Sequence, residues 1–340
     1  MALKDVIGHE KALHILFRTI QKNRIPSAYL FAGESGIGKR FAALNLTKAL
    51  NCDESTVDAC DTCPSCHKIE KGIHPDILLI LPENNKIRID EIRAIDQFLS
   101  LKAFEGRKKV IIVDDAETMN QYAANAFLKT LEEPPGDSLI ILISSNPERL
   151  PATIRSRCQK IPFTPLSSVA CEEVIRSVLS AEKTEAGIKK PKTGKPKTRK
   201  SDSEHIALLM RLSLGRPGVA LADDLVEERA WFLKVFKEIL GTAKDSWASR
   251  DEMEKWFEYL LILLRDIALC KVTTDQTHVI NRDIQAVMNA LCPEQDLKSV
   301  VENFLRLHTF KKYFQFNINK SLSWNFTSCL LRERMGMRYA

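Results

Sequence analysis

The sequence lacks a long hydrophobic segment. It has no run of about eighteen consecutive apolar residues, and a membrane-spanning helix needs about twenty. The N-terminal stretch MALKDVIGHEK contains no apolar core of the kind found in secretory signals. Hydrophobic residues make up 44% of the chain and charged residues 28%, as in ordinary soluble proteins. We therefore expect a cytoplasmic protein with no membrane partner.

The sequence has no net positive charge outside one segment. Residues 189–200, KKPKTGKPKTRK, contain seven basic residues and no acidic one. They account for more than the whole net charge of +6, so the rest of the chain carries a net charge of −1. This balance disfavours a broadly basic, nucleic-acid-binding body, whereas a local basic patch is still allowed.

This lysine-rich segment has two interpretations. A stretch rich in Lys and Pro cannot bury apolar area, so we expect residues 183–203 to form a disordered insert. The alternative is a contact with DNA phosphates, which salt would weaken.

Four short and almost fully apolar runs alternate with helical patterns in the first 165 residues. The runs are AYLFAG (28–33), DILLILP (76–82), KKVIIVDDAE (108–117) and SLIILISSN (138–146). Strands with this composition are typical of a parallel sheet, because helices cover both of its faces. Beyond this region only helical patterns occur. The sequence therefore predicts an α/β domain followed by an all-α region.

The segment GESGIGKR, residues 33–40, joins the first predicted strand to a helical pattern. This is the context of a phosphate-binding loop, in which backbone N–H groups and a helix N-terminus converge on phosphate oxygens. Gly33, Gly36, Gly38 and Lys39 fit that loop, and Lys39 would reach the outer phosphates. Arg40 replaces the Ser or Thr that ligates Mg²⁺, and we hypothesise that its charge substitutes for the metal. The alternative is a chance glycine turn.

Two carboxylates end the third predicted strand. In phosphate-loop proteins an acidic residue at a strand tip holds Mg²⁺, and Asp114 is the candidate for that role. The next residue is usually Glu in hydrolytic enzymes, where it polarises the attacking water. Asp115 is one methylene shorter, which removes reach from a general base. The alternative is that both carboxylates only cap the strand.

Arg157 follows the fourth predicted strand within the stretch LPATIRSRC. An arginine placed against a γ-phosphate stabilises the transition state of phosphoryl transfer. The alternative interpretation is a surface salt bridge.

Four cysteines lie close together in CDESTVDACDTCPSCHK. Two overlapping C-x2-C pairs and one upstream cysteine suit a tetrahedral zinc site with no open position, which indicates a structural role. His67 and His74 are alternative ligands, and an iron–sulfur cluster or free thiols are alternative states. The candidate ligands are Cys52, Cys60, Cys63 and Cys66.

These motifs in this order resemble the bacterial clamp-loader subunits of the AAA+ family. AYLFAGESGIGK, NAFLKTLEEPP and TIRSRCQKIPF carry the resemblance over residues 5–165, and FNINKSLSWNFTSCLLR resembles the end of the collar domain. The resemblance implies an AAA+ P-loop domain at 1–164 with a zinc module at about 51–74. A helical lid would follow at 165–220 and an all-α collar at 221–340.

Three departures decide which type of clamp-loader subunit the chain resembles. An ATPase subunit has Ser or Thr at position 40, Glu at 115 and a lid arginine where Gly218 stands, with Arg216 two positions away. The resemblance therefore implies a subunit that binds ATP weakly or not at all and does not hydrolyse it. Arg157 would act in trans on ATP held by a neighbour.

The resemblance also implies the partners. They would be the gamma/tau-type ATPase and delta subunits in a pentameric ring, together with the sliding clamp and primed DNA, as part of the DNA polymerase III holoenzyme. The first alternative is an ATP-hydrolysing gamma/tau-type motor subunit. A second alternative is a DNA-binding module that uses the lysine-rich segment.

Overall fold

The structure is a computed structural model that describes residues 2–186, 199–221, 225–241, 246–273, 278–285, 288, 296–316 and 318–334. The chain divides into two compact units, Met1–Leu221 and Ala222–Ala340. None of the described helices is both long and apolar enough to span a membrane.

The first unit is built on a five-stranded parallel sheet. Its strands are β1 (Ala28–Ala32), β2 (Ile77–Ile80), β3 (Lys109–Val113), β4 (Ser138–Ser144) and β5 (Gln159–Pro162). They lie in the order β2-β3-β4-β1-β5, and every neighbouring pair is parallel. Every residue of β1, β3 and β4 is buried, which explains why these strands read as continuous apolar runs.

Helices cover the sheet on both faces, as the sequence predicts. Leu30 and Ile140 share a core with Phe127 of α5 (Gln121–Glu132) and with Ile92 of α4 (Ile89–Ser100). Side chains alternate along a strand, so Tyr29 points to the other face. There its hydroxyl lies 2.9 Å from Thr19 Oγ1 of α1 (Glu10–Gln21).

The fifth strand is a correction to the four-strand prediction. β5 pairs only with β1, so it forms an edge of the sheet, and Ile161 is its one fully buried residue. An edge strand with one apolar residue that ends in proline has neither the apolar run nor the alternation by which strands are recognised.

The other helices of the first unit lie around the loop and cysteine regions. α2 (Lys39–Asn51) follows the glycine loop, α3 (Pro64–Glu70) carries part of the cysteine segment, and α6 (Ala152–Arg155) precedes β5. The remaining three are α7 (Ser168–Ala186), α8 (Arg199–Ser213) and α9 (Pro217–Ala220). Both ends of the predicted disordered insert 183–203 are therefore helical, in keeping with their good helix formers. Residues 187–198, which hold most of its lysines, lie outside the described residues.

The described residues of the second unit form helices and their connecting segments, with no strand among them. The ring centroid of Trp247 lies 5.1 Å from that of the tilted Trp256 ring and 4.8 Å from that of Trp324, which it meets edge to face. Its indole N–H donates to Ser323 Oγ at 3.0 Å. These aromatic side chains anchor a buried apolar core of the kind expected for a helical bundle. Its helices are α10 (Leu225–Leu240), α11 (Arg250–Val272), α12 (Leu297–Lys312) and α13 (Lys320–Cys329).

Candidate functional site

The predicted phosphate loop lies between β1 and α2. Gly33 approaches the neighbouring chain so closely that an added Cβ would lie 2.3 Å from the carbonyl oxygen of Phe163. Gly36 has a left-handed φ of +78°, and Gly38 immediately precedes α2. Only glycine tolerates such positions without strain. The structure therefore places the glycines as a phosphate-binding loop requires.

Lys39 is the buried cation of this loop. Its side chain is folded back so that Nζ donates to the carbonyl oxygens of Gly33 at 2.5 Å and Glu34 at 2.6 Å. Burial lowers the pKa of Lys39, and the carboxylate of Glu117 is the strongest group that opposes the shift. In this conformation the ammonium group is bonded to the loop itself, and it must turn outward to meet a phosphate.

Arg40, at the start of α2, contacts Asp114 of the acidic pair that follows β3. Its NH1 lies 3.3 Å from Asp114 Oδ2, and Asp114 Oδ1 accepts the backbone N–H of Asp115 at 3.1 Å. The Arg40 side chain is 54% exposed and that of Asp114 is 15% exposed. The structure thus brings the predicted loop and both predicted carboxylates together at the carboxyl edge of the sheet.

The surroundings of Asp115 favour its neutral, protonated form. Its backbone is left-handed, with a φ of 45°. Burial raises the pKa of Asp115, and the charges of Asp114 and Glu117 raise it further.

Glu117 and Ser145 are polar site residues that the sequence analysis missed. One carboxylate oxygen of Glu117 accepts the backbone N–H of Ser145 at 2.8 Å and of Asn146 at 3.1 Å, and it also accepts the Ser145 hydroxyl. Burial alone would raise the pKa of Glu117, but these hydrogen bonds hold it below its ordinary value. The available signal was that Ser145 directly follows β4, whose end lies at the same edge of the sheet as the loop.

The segment that the sequence analysis predicts to be the lid packs directly onto the loop. The Gly218 N–H donates to the Gly36 carbonyl at 2.8 Å, and a Cβ on Gly218 would lie 3.0 Å from Gly36 Cα. A larger side chain at 218 would displace this contact, so the position has no space for an arginine while the two segments are packed together. Arg216 lies with NH1 3.8 Å from Glu34 Oε2, while its Nε donates to Ser213 O.

Arg157 lies away from the chain's own loop. The register pairs Gln159 with Tyr29, so Arg157 is level with the start of β1, whereas Gly33 follows its end. At a rise of about 3.3 Å per residue, the two are separated by roughly 20 Å along the strands. Arg157 NH1 donates to Thr153 O at 2.9 Å and NH2 pairs with Glu132. The surface salt bridge considered for this arginine is therefore present.

The cysteine cluster is a separate location, formed where α2 ends and α3 begins. The four sulfur atoms of Cys52, Cys60, Cys63 and Cys66 lie within 4.8 Å of one another. Tetrahedral zinc with bonds of about 2.3 Å needs sulfur atoms about 3.8 Å apart, so the four thiolates could bind a structural zinc. The backbone N–H of Cys63 lies 3.3 Å from Cys60 Sγ, and that of Cys66 lies 3.4 Å from Cys63 Sγ.

The two histidines considered as alternative ligands are not part of this cluster. His67 is exposed. His74 is buried, with Nε2 3.3 Å from Ser65 Oγ and Nδ1 accepting the Asp76 N–H at 3.1 Å. Both ring nitrogens of His74 are therefore engaged elsewhere.

The sheet, the glycine loop before α2 and the acidic pair after β3 define a P-loop domain of the AAA+ class. A family model described as "DNA polymerase III, delta subunit" matches residues 8–167. The delta-prime subunit of DNA polymerase III from Bacillus subtilis (strain 168) is 30% identical over 325 residues, covering 91% of this chain and 92% of the relative. The chain belongs to the DNA polymerase III delta-prime family, and its predicted resemblance to clamp-loader subunits is confirmed.

Two further relatives match only about half of the chain in sequence. The tau subunit of Bacillus subtilis is 36% identical over 180 residues, which cover 53% of this chain and 32% of tau. The delta-prime subunit of Pseudomonas aeruginosa is 40% identical over 162 residues, covering 47% of this chain and 49% of the relative. A gamma subunit-related protein of Thermotoga maritima superposes with a TM-score of 0.42 at 20% identity, covering 95% of this chain and 99% of that one. A superposition that distant adds nothing to the family assignment.

Proposed function

We propose that this chain supplies Arg157 as a trans arginine finger to ATP on a neighbouring gamma/tau-type subunit of the clamp loader. In this proposal its own loop does not hydrolyse ATP, and any ATP that it binds is bound weakly. Family membership implies partners among the clamp-loader subunits. The pentameric ring, the delta subunit, the sliding clamp and primed DNA are the further partners that we propose.

The position of Arg157 carries the proposal. It lies roughly 20 Å from the chain's own phosphate loop along the strand direction. The loop is at the carboxyl ends of the strands, whereas Arg157 is at their amino ends, which form the opposite edge of the sheet. An arginine at that edge is too far away to touch a phosphate in its own loop. A neighbouring chain that presents its nucleotide to this edge would meet the guanidinium.

Release of Arg157 from its present partner costs little. Its side chain is 35% exposed and that of Glu132 is 50% exposed. Exposed ion pairs stabilise a fold by about 0–1 kcal/mol, because water screens the charges. The interaction of a guanidinium with a γ-phosphate in a water-excluded site contributes more free energy than this ion pair. Arg157 can therefore leave Glu132 when a neighbour docks.

Three features of the chain's own loop argue against turnover. Arg40 brings no hydroxyl to a metal and already contacts Asp114, Asp115 is shorter than the usual glutamate, and Gly218 has no space for a lid arginine. The intact glycines and Lys39 are what favour the alternative gamma/tau-type motor. We infer that the loop keeps the backbone geometry of a phosphate-binding loop but does not support ATP hydrolysis.

The remaining parts have proposed roles that follow from the family. The helical unit would form part of the collar that holds the ring together, and residues 165–220 would form the lid. The cysteine cluster would hold a structural zinc and take no part in the reaction. The chain would thus contribute rigidity and one arginine to a clamp loader whose motor subunits hydrolyse ATP.

The test is ATP turnover by a reconstituted loader with clamp and primed DNA. Arg157→Ala should abolish turnover at the one ATP site that faces this chain, since comparable arginines in GTPases contribute roughly 10³ to 10⁵ in rate. Arg155→Ala is the matched control. Arg155 lies two residues away with a similarly exposed side chain and pairs with Glu148, so its loss should leave turnover unchanged. Equal rates for wild type and Arg157→Ala would reject the proposal.

A further inference from the structure

The metal position of this phosphate loop is occupied by a side chain. In loops of this type, Mg²⁺ lies between the hydroxyl that follows the lysine and the acidic residue at the strand tip. Here the residue after Lys39 is Arg40, and its NH1 lies 3.3 Å from Asp114 Oδ2. The guanidinium group therefore stands where the divalent cation would meet its carboxylate ligand.

Magnesium does not fit the residues present. It demands near-octahedral oxygen ligands at about 2.0–2.1 Å, and position 40 offers no oxygen. Both oxygens of Asp114 are engaged, Oδ2 by Arg40 and Oδ1 by the Asp115 N–H at 3.1 Å. Of the other carboxylates nearby, Glu117 has one oxygen bonded to Ser145 and Asn146, so that only its buried Oε2 and the Asp115 carboxylate are left without a described hydrogen bond. A divalent ion would also lie against the positive charge of the guanidinium, which repels it.

We propose that the loop is a magnesium-independent site for the phosphates of a nucleoside di- or triphosphate, with Arg40 as the fixed cation in place of the metal. A guanidinium carries five N–H donors, and the contact with Asp114 uses only one of them. Arginine matches phosphate oxygens in a two-point geometry, which a metal-free polyphosphate can accept. The Arg40 side chain is 54% exposed, so its other donors are accessible from the solvent side.

The remaining parts of an anion site are also in place. The left-handed glycine loop precedes the N-terminus of α2, a helix of 13 residues whose first N–H groups point toward the loop. Lys39 adds a second cation once it leaves the carbonyl oxygens of Gly33 and Glu34. A ligand held this way lacks the ion that polarises the γ-phosphate, so it serves as a bound structural ligand. This inference does not depend on Arg157 or on assembly with partners.

The experiment is a titration of the purified chain with a fluorescent ATP analogue, in excess Mg²⁺ and in excess EDTA. The wild-type Kd should agree within about twofold between the two conditions. Arg40→Thr restores the hydroxyl and removes the cation. It should bind at least about tenfold more weakly in EDTA than in Mg²⁺. Arg40→Lys should stay metal-independent because it keeps the charge.

Two controls make the result decisive. Lys39→Ala should lose binding under both conditions, which ties the signal to this loop. Thermal melting of each variant checks folding, and Arg40 is exposed enough that Thr and Lys should melt close to wild type. The proposal is overturned if the wild type binds only with Mg²⁺, if it binds under neither condition, or if Arg40→Thr stays indifferent to the metal.

Discussion

Adjacent carboxylates at the tip of β3 have different electrostatic surroundings. Asp114 has the guanidinium of Arg40 at 3.3 Å, whereas Asp115 faces Asp114 and Glu117. Burial and these like charges raise the pKa of Asp115 above its ordinary value of 3.8. A raised pKa in the folded state means that the fold resists ionisation. Native stability therefore falls as the pH rises from the unfolded pKa through the folded pKa.

Asp115→Asn should stabilise the protein at neutral pH. Asparagine carries no charge and tolerates the left-handed backbone at this position. The gain in unfolding free energy should be about 0.5 kcal/mol, and it should vanish below about pH 3, where the wild-type carboxyl is protonated in both states. Thermal melts at pH 7 and below pH 3 measure the difference.

Asp137→Asn is the control for the backbone contribution. Asp137 also has a left-handed φ, of 48°, but its side chain is 89% exposed. A lower melting temperature for Asp115→Asn at pH 7 would contradict the assigned electrostatics.

At the scale of elements, the cysteine cluster connects two helices. Cys52 follows the last residue of α2, and Cys63 immediately precedes α3, where its sulfur accepts the N–H of Cys66. Three of the four cysteines are buried, so a metal would replace the hydrophobic core that this short segment lacks. α2 also begins at the phosphate loop, so the cluster supports the far end of the helix that shapes the loop.

Cys63→Ser should lose zinc and destabilise this segment. Removal of one of four thiolates opens the site, and structural metal binding contributes directly to folding free energy, so we expect a loss on the order of 3 kcal/mol. Metal analysis of the purified chain and a thermal melt provide the two readouts. Cys329→Ser, which changes an exposed cysteine in the second unit, should keep both metal and stability. Full zinc content in Cys63→Ser would contradict the assignment.

The elements that were predicted well are those whose signal is local. Strands β1 to β4 appear as apolar runs, and the glycine loop appears as a motif between a strand and a helix. β5 was missed because one buried residue in four gives no periodicity. The contact between Arg40 and Asp114 joins residues 74 positions apart, and only the strand order brings them together. The packing of Gly218 on Gly36 is equally invisible to local patterns.

At the scale of the whole molecule, the chain retains a phosphate loop and places Arg157 far from it. The loop edge holds Lys39, Arg40 and the acidic pair, while Arg157 lies at the opposite edge of the same sheet. On our proposal, the edge with the loop does not catalyse ATP hydrolysis, and the edge with Arg157 acts on the ATP of a neighbouring subunit. On the same proposal, this delta-prime family member is not itself a motor.

Steady-state ATP hydrolysis by the purified chain, with and without primed DNA, tests that claim most directly. A Lys39→Ala variant sets the background, because it removes the cation that any P-loop hydrolysis requires. Our account predicts no turnover by the wild-type chain above that background under either condition. Turnover that disappears in Lys39→Ala would contradict it, because Arg40 and Asp115 would then be compatible with catalysis and the chain would be an ATP-driven motor.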